Sequence, residues 1–168
     1  MLFEILKRSP RPVVSLLTPA SGQGYALPMS GLIGYMRGTP MQESATAGQA
    51  ELADGTKPFA GFMTRDSQGG GGVLGDMIYP NRLELPFVAG EDGSFEFAEE
   101  VVAEGANLID AGLTAATPLK TAISFAAGKF AVAISGQDAQ FVLVGLPAPE
   151  TAGNVRARFV TMAGSMKP

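Results

Sequence analysis

Gly128 and Lys129 form the first candidate for chemistry, because a lysine that follows a glycine can end a phosphate-binding loop. That motif also needs a glycine five residues before Gly128 and a serine or threonine directly after the lysine. Ile123 and Phe130 occupy these two positions. The residues therefore predict a hairpin turn at Ala127 and Gly128 rather than a phosphate site.

Two pairs of neighbouring carboxylates are the next candidates, Glu91 with Asp92 and Glu99 with Glu100. A hydrolase that uses paired carboxylates needs two of them that face each other across a cleft in different environments. The first pair stands in a turn signal and the second on a polar edge. We expect both pairs to be solvated.

A serine nucleophile would need a lysine as its base, because the chain contains no histidine and no cysteine. Lys120 near Ser124 is the one arrangement of this kind that is close in sequence. We therefore predict that the chain is not an enzyme and that it holds no catalytic residue, no cofactor and no metal.

Alternating apolar and polar residues in the last third of the chain predict half-buried strands. Arg156 and Arg158 are expected to face outward from one of them. The stretch at 141–146 is apolar on both faces, so we expect it at the centre of a sheet. The side chains predicted to face the core are Phe130, Val132, Ile134, Val155, Ala157 and Phe159.

The chain as a whole is predicted to be all-β, a compact β-barrel or sandwich with little helix. Its 22 glycines and 12 prolines recur about every ten residues, which is typical of such folds. The best helical candidate, 97–104, is short. We assign 25–168 to a single β-domain, with a flexible glycine-rich loop at about 67–72. Further strands are predicted at 32–36, 49–53, 59–63, 73–79, 83–88, 95–97 and 122–125.

Residues 1–24 are predicted to be an extended N-terminal arm, because Pro10, Pro12 and Pro19 fix φ and remove backbone donors. Its apolar side chains would be costly to leave in water. They are expected to dock on this subunit, on a sister subunit or on another protein. These residues are Leu2, Phe3, Ile5, Leu6, Val13, Val14, Leu16 and Leu17.

The composition favours assembly with other chains. Apolar residues make up 46% of the sequence and charged residues 17%, where a solvated monomer usually carries about a quarter. The net charge of −4 offers no basic surface for direct nucleic-acid binding. No apolar run approaches the length of a membrane span, and the prolines near the N-terminus argue against a signal peptide.

The second half of the chain resembles the head decoration (cement) proteins of tailed bacteriophages. The resemblance rests on residues 95–102, Gly105, residues 121–133 and residues 149–159. It covers about 70 residues well and the first half of the chain only loosely. It implies a compact, β-tulip-like domain with an apolar N-terminal extension, located on the outer surface of the virion capsid. It also implies homotrimers that contact the major capsid protein at local three-fold positions.

These features lead to a hypothesis of cementing, in which each copy bridges neighbouring major capsid subunits. The predicted contact residues are the eight apolar residues of the arm together with Arg156 and Arg158. The two arginines could pair with an acidic shell surface or belong to a solvated strand face. Deleting residues 1–19 is expected to abolish shell binding and to leave a folded domain.

Two alternatives remain open from the sequence. One is a receptor- or glycan-binding β-module, although its aromatic platform would depend on Tyr25, Tyr35 and Tyr79 in a chain without tryptophan. The other is a hydrolase that uses the serine–lysine pair or a carboxylate pair in a deep cleft.

Overall fold

The all-β prediction is confirmed by the computed structural model, which describes residues 2–8, 18–19, 25–26, 33–63, 67–68, 95–96, 98–145 and 155–166. These residues form strands and turns, with no helix among them. The predicted strands at 73–79 and 83–88 lie outside the described residues, as does the part of the glycine-rich loop that follows Gln68.

Fourteen strands are described, and most of them are short. In chain order they are β1 (Leu2–Arg8), β2 (Thr18–Pro19), β3 (Tyr25–Ala26), β4 (Ile33–Tyr35), β5 (Pro40–Glu43), β6 (Gln49–Leu52), β7 (Phe59–Met63), β8 (Ser67–Gln68), β9 (Phe95–Glu96), β10 (Ala98–Glu104), β11 (Ala122–Ala126), β12 (Lys129–Val132), β13 (Ala139–Gly145) and β14 (Arg156–Met166).

The strands form three sheets. The largest has six antiparallel strands in the order β1-β10-β14-β13-β11-β12. A five-stranded sheet has the order β2-β6-β5-β7-β9, in which only β2 and β6 run parallel. A three-stranded sheet has the order β3-β4-β8. The six- and five-stranded sheets share one core, which gives the domain its sandwich-like architecture.

Phenylalanine rings fill the space between these two sheets. Phe62 of β7 is fully buried and contacts Phe3, Phe59, Phe130 and Phe141 at ring-centroid distances of 5.1, 5.1, 5.7 and 5.8 Å. One side chain of the five-stranded sheet thereby touches three strands of the larger sheet. Rings at such distances add stabilisation beyond their buried area.

The six-stranded sheet curves around this core. Phe130 of β12 stacks on Phe159 of β14 at 4.3 Å between centroids, although β11 and β13 lie between these strands in the sheet. Flat strands about 4.8 Å apart would hold the two rings well out of contact. The curvature therefore brings the two side chains together inside the sandwich.

The five-stranded sheet is apolar on its second face as well. Successive side chains of a strand point to opposite faces, so Met63 lies on the far side of β7 from Phe62. There Met63 packs with Tyr35, Met41 and Ala50, all fully buried. This second cluster explains why so little charge is found in strands β4 to β7.

The edges of the six-stranded sheet are protected. The backbone of Phe130 in β12 accepts a hydrogen bond from Asp110 N (2.9 Å) and donates one to Leu108 O (2.8 Å), so the preceding segment covers this edge. The register of β1 against β10 shifts on both sides of Lys7. Such irregularities and charged residues are devices that prevent edge-to-edge pairing.

Two features differ from the sequence expectations. The helical candidate at 97–104 contains strand β10, which lies between β1 and β14 and buries Val101 and Ala103 in the core. The arm predicted at 1–24 differs in its first residues, because Leu2–Arg8 form a strand that pairs with β10. In both places pairing with distant strands outweighs the local preference of the sequence.

The central position of Phe62 predicts a large effect of its removal. We expect Phe62→Ala to lower the free energy of unfolding by about 3–5 kcal/mol, because it leaves a cavity among four rings. Urea denaturation of both proteins measures this difference. Ile134→Ala, at a side chain that is 64% exposed, is the control and should change stability by less than about 0.5 kcal/mol. An equal loss in the two variants would contradict the assignment of the core.

Candidate functional site

The turn at Gly128 confirms the hairpin prediction. β11 and β12 pair with Ala126 opposite Lys129, and the intervening Ala127 and Gly128 both have positive φ. The amide of Gly128 donates to Ala53 O at 2.8 Å, so it belongs to the contact between the two sheets. An amide engaged in this way is not available to hold a phosphate.

The carboxylates of Glu99 and Glu100 each face a basic side chain. Lys7 of β1 contacts Glu99 at 2.5 Å, and the Arg158 guanidinium forms an ion pair with Glu100. The interaction with Glu99 raises the pKa of Lys7. Each carboxylate is therefore paired with a basic side chain of a neighbouring strand. Glu91 and Asp92 lie outside the described residues.

Ser124 and Lys120 are placed in different surroundings. Ser124 is fully buried, and its hydroxyl donates to Asp138 O at 2.8 Å. Lys120 is exposed in the turn before β11, where its amide donates to Leu143 O at 2.7 Å. A serine whose proton is held by a backbone carbonyl inside the sandwich serves the packing of β11 against the 133–138 turn.

The N-terminal contact residues divide between the core and the surface. Phe3 is only 5% exposed and belongs to the main core, and Ile5 packs against that core. Of the docking places expected for the N-terminal apolar residues, the structure shows the first for Phe3, because the chain buries this ring in its own core. Leu6 is 46% exposed and remains available to a partner. The side chain of Leu2, together with Val13, Val14, Leu16 and Leu17, lies outside the described residues.

Phe3 packs closely against Arg37 and Gly38. The guanidinium of Arg37 donates to Phe3 O at 2.9 Å and lies 5.7 Å from the centre of its ring. Gly38 has φ +86°, and a Cβ at this position would lie 2.2 Å from Cγ of Phe3. Glycine is required here both for the backbone conformation and for the approach of the ring.

The two arginines of β14 point outward, as predicted, and they lie opposite acidic residues of β10. Arg156 is paired in register with Glu104, and Arg158 forms the ion pair with Glu100. Ala157 and Phe159, which alternate with them, are fully buried. Because Arg158 is already neutralised within the chain, its position agrees with a solvated strand face.

An apolar surface at one end of the six-stranded sheet was not predicted. Leu119, Ile134 and Val144 are 59%, 64% and 38% exposed. Hydrogen bonds from Lys120 N to Leu143 O and from Ala133 N to Ala122 O place them at neighbouring ends of β11, β12 and β13. We call these three residues the apolar end. They are the exposed large apolar side chains of the described residues apart from Leu6.

Ile134 was expected to face the core, and this expectation is wrong. β12 ends at Val132, and residues 134–137 form a turn closed by a hydrogen bond from Gln137 N to Ile134 O at 3.1 Å. The alternation of the sequence continues past the end of the strand, so the pattern alone predicted the wrong orientation for the Ile134 side chain.

A polar cluster occupies the region where β5 and β6 meet the turn before β7. The Oε1 atom of Glu51 accepts hydrogen bonds from Lys57 Nζ at 2.5 Å and from Gln42 Nε2 at 3.0 Å. Gln42 is 1% exposed, and its Oε1 accepts from Asp54 N at 2.9 Å. Gln137, from the other sheet, donates to Asp54 O at 2.6 Å. We call Gln42, Glu51 and Lys57 the bridging cluster.

The pKa values of Glu51, in the bridging cluster, and of Asp54, beside it, are both lowered. Hydrogen bonds from Lys57 and then from Gln42 lower the pKa of Glu51, and they outweigh the effect of partial burial. Burial acts to raise the pKa of Asp54, but hydrogen bonds from the hydroxyl and amide of Thr56 bring it below its ordinary value. Both groups are therefore held as carboxylates in the folded state.

A small cleft lies between the segment after β10 and strand β12. It encloses about 270 Å³ and is lined mainly by apolar groups, including Ile109, Leu113 and Val155, with Asp110 and Lys129 as its charged residues. This volume is below the roughly 300 Å³ at which ligand pockets usually begin. The cleft has room for a small ligand or for one large side chain.

Tyr35, one of the three tyrosines considered for the aromatic platform of a glycan-binding module, is not available at the surface. Tyr35 is fully buried in the second apolar cluster, where burial raises the pKa of its hydroxyl. The side chains of Tyr25 and Tyr79 are outside the part of the chain that the structure describes.

Within the described ranges, no group of three or more potential ligand side chains is arranged to hold a metal ion. The same residues contain no helix that is long and apolar enough to cross a membrane. Comparison of the chain with protein-family models, curated proteins and solved structures finds no match.

The placement of Phe3 predicts opposite results for two neighbouring apolar residues. Phe3→Ala should lower the free energy of unfolding by about 3 kcal/mol, because its ring packs on Phe62 and Gly38. Leu6→Ala should change it by less than about 0.5 kcal/mol. Equilibrium denaturation of the full chain measures both. If Phe3→Ala were as stable as the parent, the N-terminal strand would not belong to the domain core.

The lowered pKa of Glu51 predicts a loss of stability in acid. A carboxylate whose pKa is lower in the folded state stabilises the fold above its unfolded-state pKa, about 4.3, and this contribution disappears as pH falls through the folded-state pKa. We expect Glu51→Gln to be less stable than the parent at pH 7 and to lose less stability below about pH 4.3. Thermal unfolding between neutral and acidic pH tests this expectation.

Glu43→Gln is the matched control for this experiment, because Glu43 lies on the adjacent strand with an exposed side chain. Its curve should follow that of the parent protein. A Glu51→Gln curve parallel to the parent curve at every pH would show that the bridging cluster does not contribute to acid unfolding.

Proposed function

We propose that this chain is a structural virion protein that decorates the outside of a phage capsid and cements neighbouring major capsid subunits. The resemblance of residues 95–102, Gly105, 121–133 and 149–159 to head decoration proteins supports this proposal, and so does the low proportion of charged residues. In this role the chain acts as a homotrimer and contributes binding surface rather than chemistry.

The apolar end is the observation that carries the proposal. Leu119, Ile134 and Val144 project from adjacent strand ends of a rigid sheet, and each is more than one third exposed. Fully burying an exposed aliphatic side chain contributes about 1.5–3 kcal/mol, and these side chains, which are 38–64% exposed, would contribute roughly half of that each. Three such contacts per chain, repeated in a trimer, are enough to hold a subunit on a shell through several weak interactions at once.

Other parts of the six-stranded sheet are less suited to the same task. One edge is covered by the segment around Leu108 and Asp110, and the other carries the irregular pairing of β1. The outer face of β10 and β14 is charged, and its salt bridges are satisfied within the chain. These features leave the apolar end and Leu6 as the described surfaces where a partner would remove apolar area from water.

The N-terminal segment has a narrower role in this proposal than the sequence suggested. Leu2–Arg8 anchor the segment to the domain, and contact with the shell is assigned to Leu6 and to the residues that follow β1. Deleting residues 1–19 is therefore a poor test of binding, because it also removes Phe3 from the core. Substitution of exposed residues separates binding from folding.

The proposal predicts that the chain is abundant in virus particles. Quantitative mass spectrometry of gradient-purified particles from the phage that encodes it should give a copy number comparable with that of the major capsid protein. Absence of the chain from the particles would overturn the proposed function.

A second measurement tests the assigned surface. Ile134→Glu should weaken binding of the purified protein to undecorated capsids by at least about 100-fold, because it would bury a charge in an apolar contact. Ala47→Glu adds the same charge in the exposed β5–β6 turn and should bind as the parent does. Equal binding of the two variants would show that the shell is contacted elsewhere.

A further inference from the structure

The bridging cluster combines an amine, a carboxylate and a carboxamide in the order that amide exchange requires. Glu51 Oε1 accepts a hydrogen bond from Lys57 Nζ and another from Gln42 Nε2. We propose that Lys57 and Gln42 form an isopeptide bond in the folded protein, with Glu51 transferring the proton. This inference is independent of the capsid role.

The orientation of the Gln42 carboxamide is fixed by its neighbours. The amide of Asp54 can only donate, so it must face the oxygen of Gln42, at 2.9 Å. An ionised carboxylate can only accept, so Glu51 must face the nitrogen. The oxygen that gains negative charge on attack therefore already has a backbone donor, and the nitrogen that leaves is next to the proton carrier.

The reaction balances without an oxidant or a second substrate. Lys57 passes a proton to Glu51, and its neutral Nζ attacks Cδ of Gln42. The Asp54 amide stabilises the negative charge that develops on the Gln42 oxygen. Glu51 then delivers this proton to Nε2 and accepts the second proton of Nζ, the Cδ–Nε2 bond breaks, and the second proton leaves with ammonia as ammonium. The product contains one new Nζ–Cδ amide bond, and the carboxylate of Glu51 is regenerated.

The fold places Gln42 beside Glu51 and limits the access of water to the carboxamide. Gln42 is on β5 and Glu51 on the adjacent β6, where the two residues are paired in register. Gln42 is 1% exposed, so hydrolysis of its carboxamide by bulk water is disfavoured. Lys57 is in the turn before β7, and its side chain is 36% exposed. Released ammonia can leave on that side.

The charges around the cluster determine how the reaction depends on pH. Lys57 and Glu51 form an ion pair, and the negative charge of Asp54 lies close enough to Lys57 to interact with it. Tyr35 also faces Glu51 and stays neutral in its buried position. The ion pair therefore favours the charged form of the amine. We expect the bond to form faster as pH rises, because the attack requires the neutral amine.

Intact-mass spectrometry of the full chain tests the proposal. After incubation at 37 °C and pH 9–10, the protein should become lighter by the mass of one ammonia, and a protease digest should contain a branched peptide that joins Gln42 to Lys57. Failure to detect either change after prolonged incubation of the folded protein would overturn it.

Three variants separate this reaction from other losses of ammonia, such as cyclisation at asparagine. Lys57→Arg keeps the positive charge and the hydrogen bond to Glu51 but should abolish the mass loss. Glu51→Gln removes the proton carrier and should slow the loss at least tenfold. Lys129→Arg, at a half-buried lysine on β12, is the control and should react as the parent does. A mass loss that persists in Lys57→Arg would contradict the proposal.

Discussion

The packing of Phe62 between two sheets is the interaction on which the rest of the structure depends. This ring comes from β7, in the first half of the chain, and its neighbours Phe130 and Phe141 come from the second half. The six-stranded sheet buries its inner face only because the five-stranded sheet supplies this ring and Phe59. The hairpin at Gly128 and the turn at Asp54 then add hydrogen bonds at the margin of the same contact. The described residues of the two halves of the chain therefore share one core.

Local pattern predicted the strands whose partners lie close in sequence. β11 and β12, together with the start of β14, alternate regularly, and their apolar side chains Phe130, Ala157 and Phe159 reach the core. β10 was not recognised because Ala98, Glu99 and Glu100 favour helix, and because an irregular register with β1 breaks the alternation. β1 itself was taken for part of an arm, since nothing near it in sequence indicates a partner at residues 98–104.

The candidate surfaces, too, could be predicted only where they depend on local sequence pattern. The outward position of Arg156 and Arg158 followed from period two, whereas their acidic neighbours on β10 depend on a pairing that the sequence does not reveal. The apolar end was missed because exposure of Ile134 is decided by where β12 ends. The bridging cluster joins residues from two strands and a turn. The sequence alone indicates only that Glu51 and Lys57 lie on either side of the turn at Asp54 and Gly55. The contact of Gln42 with Glu51 depends on the register of β5 with β6, which the sequence does not reveal.

The position of Phe3 in the core has a consequence for synthesis of the chain. β1 is synthesised before its partner β10, which is completed only with Glu104, and the core residues Phe130 and Phe141 emerge later still. An apolar strand must therefore wait without its native contacts while most of the domain is made. Pairings so distant in sequence are typical of slowly folding proteins, and unpaired strands of this kind are vulnerable to aggregation. The charges of Glu4, Lys7 and Arg8 in this strand reduce that hazard during the interval.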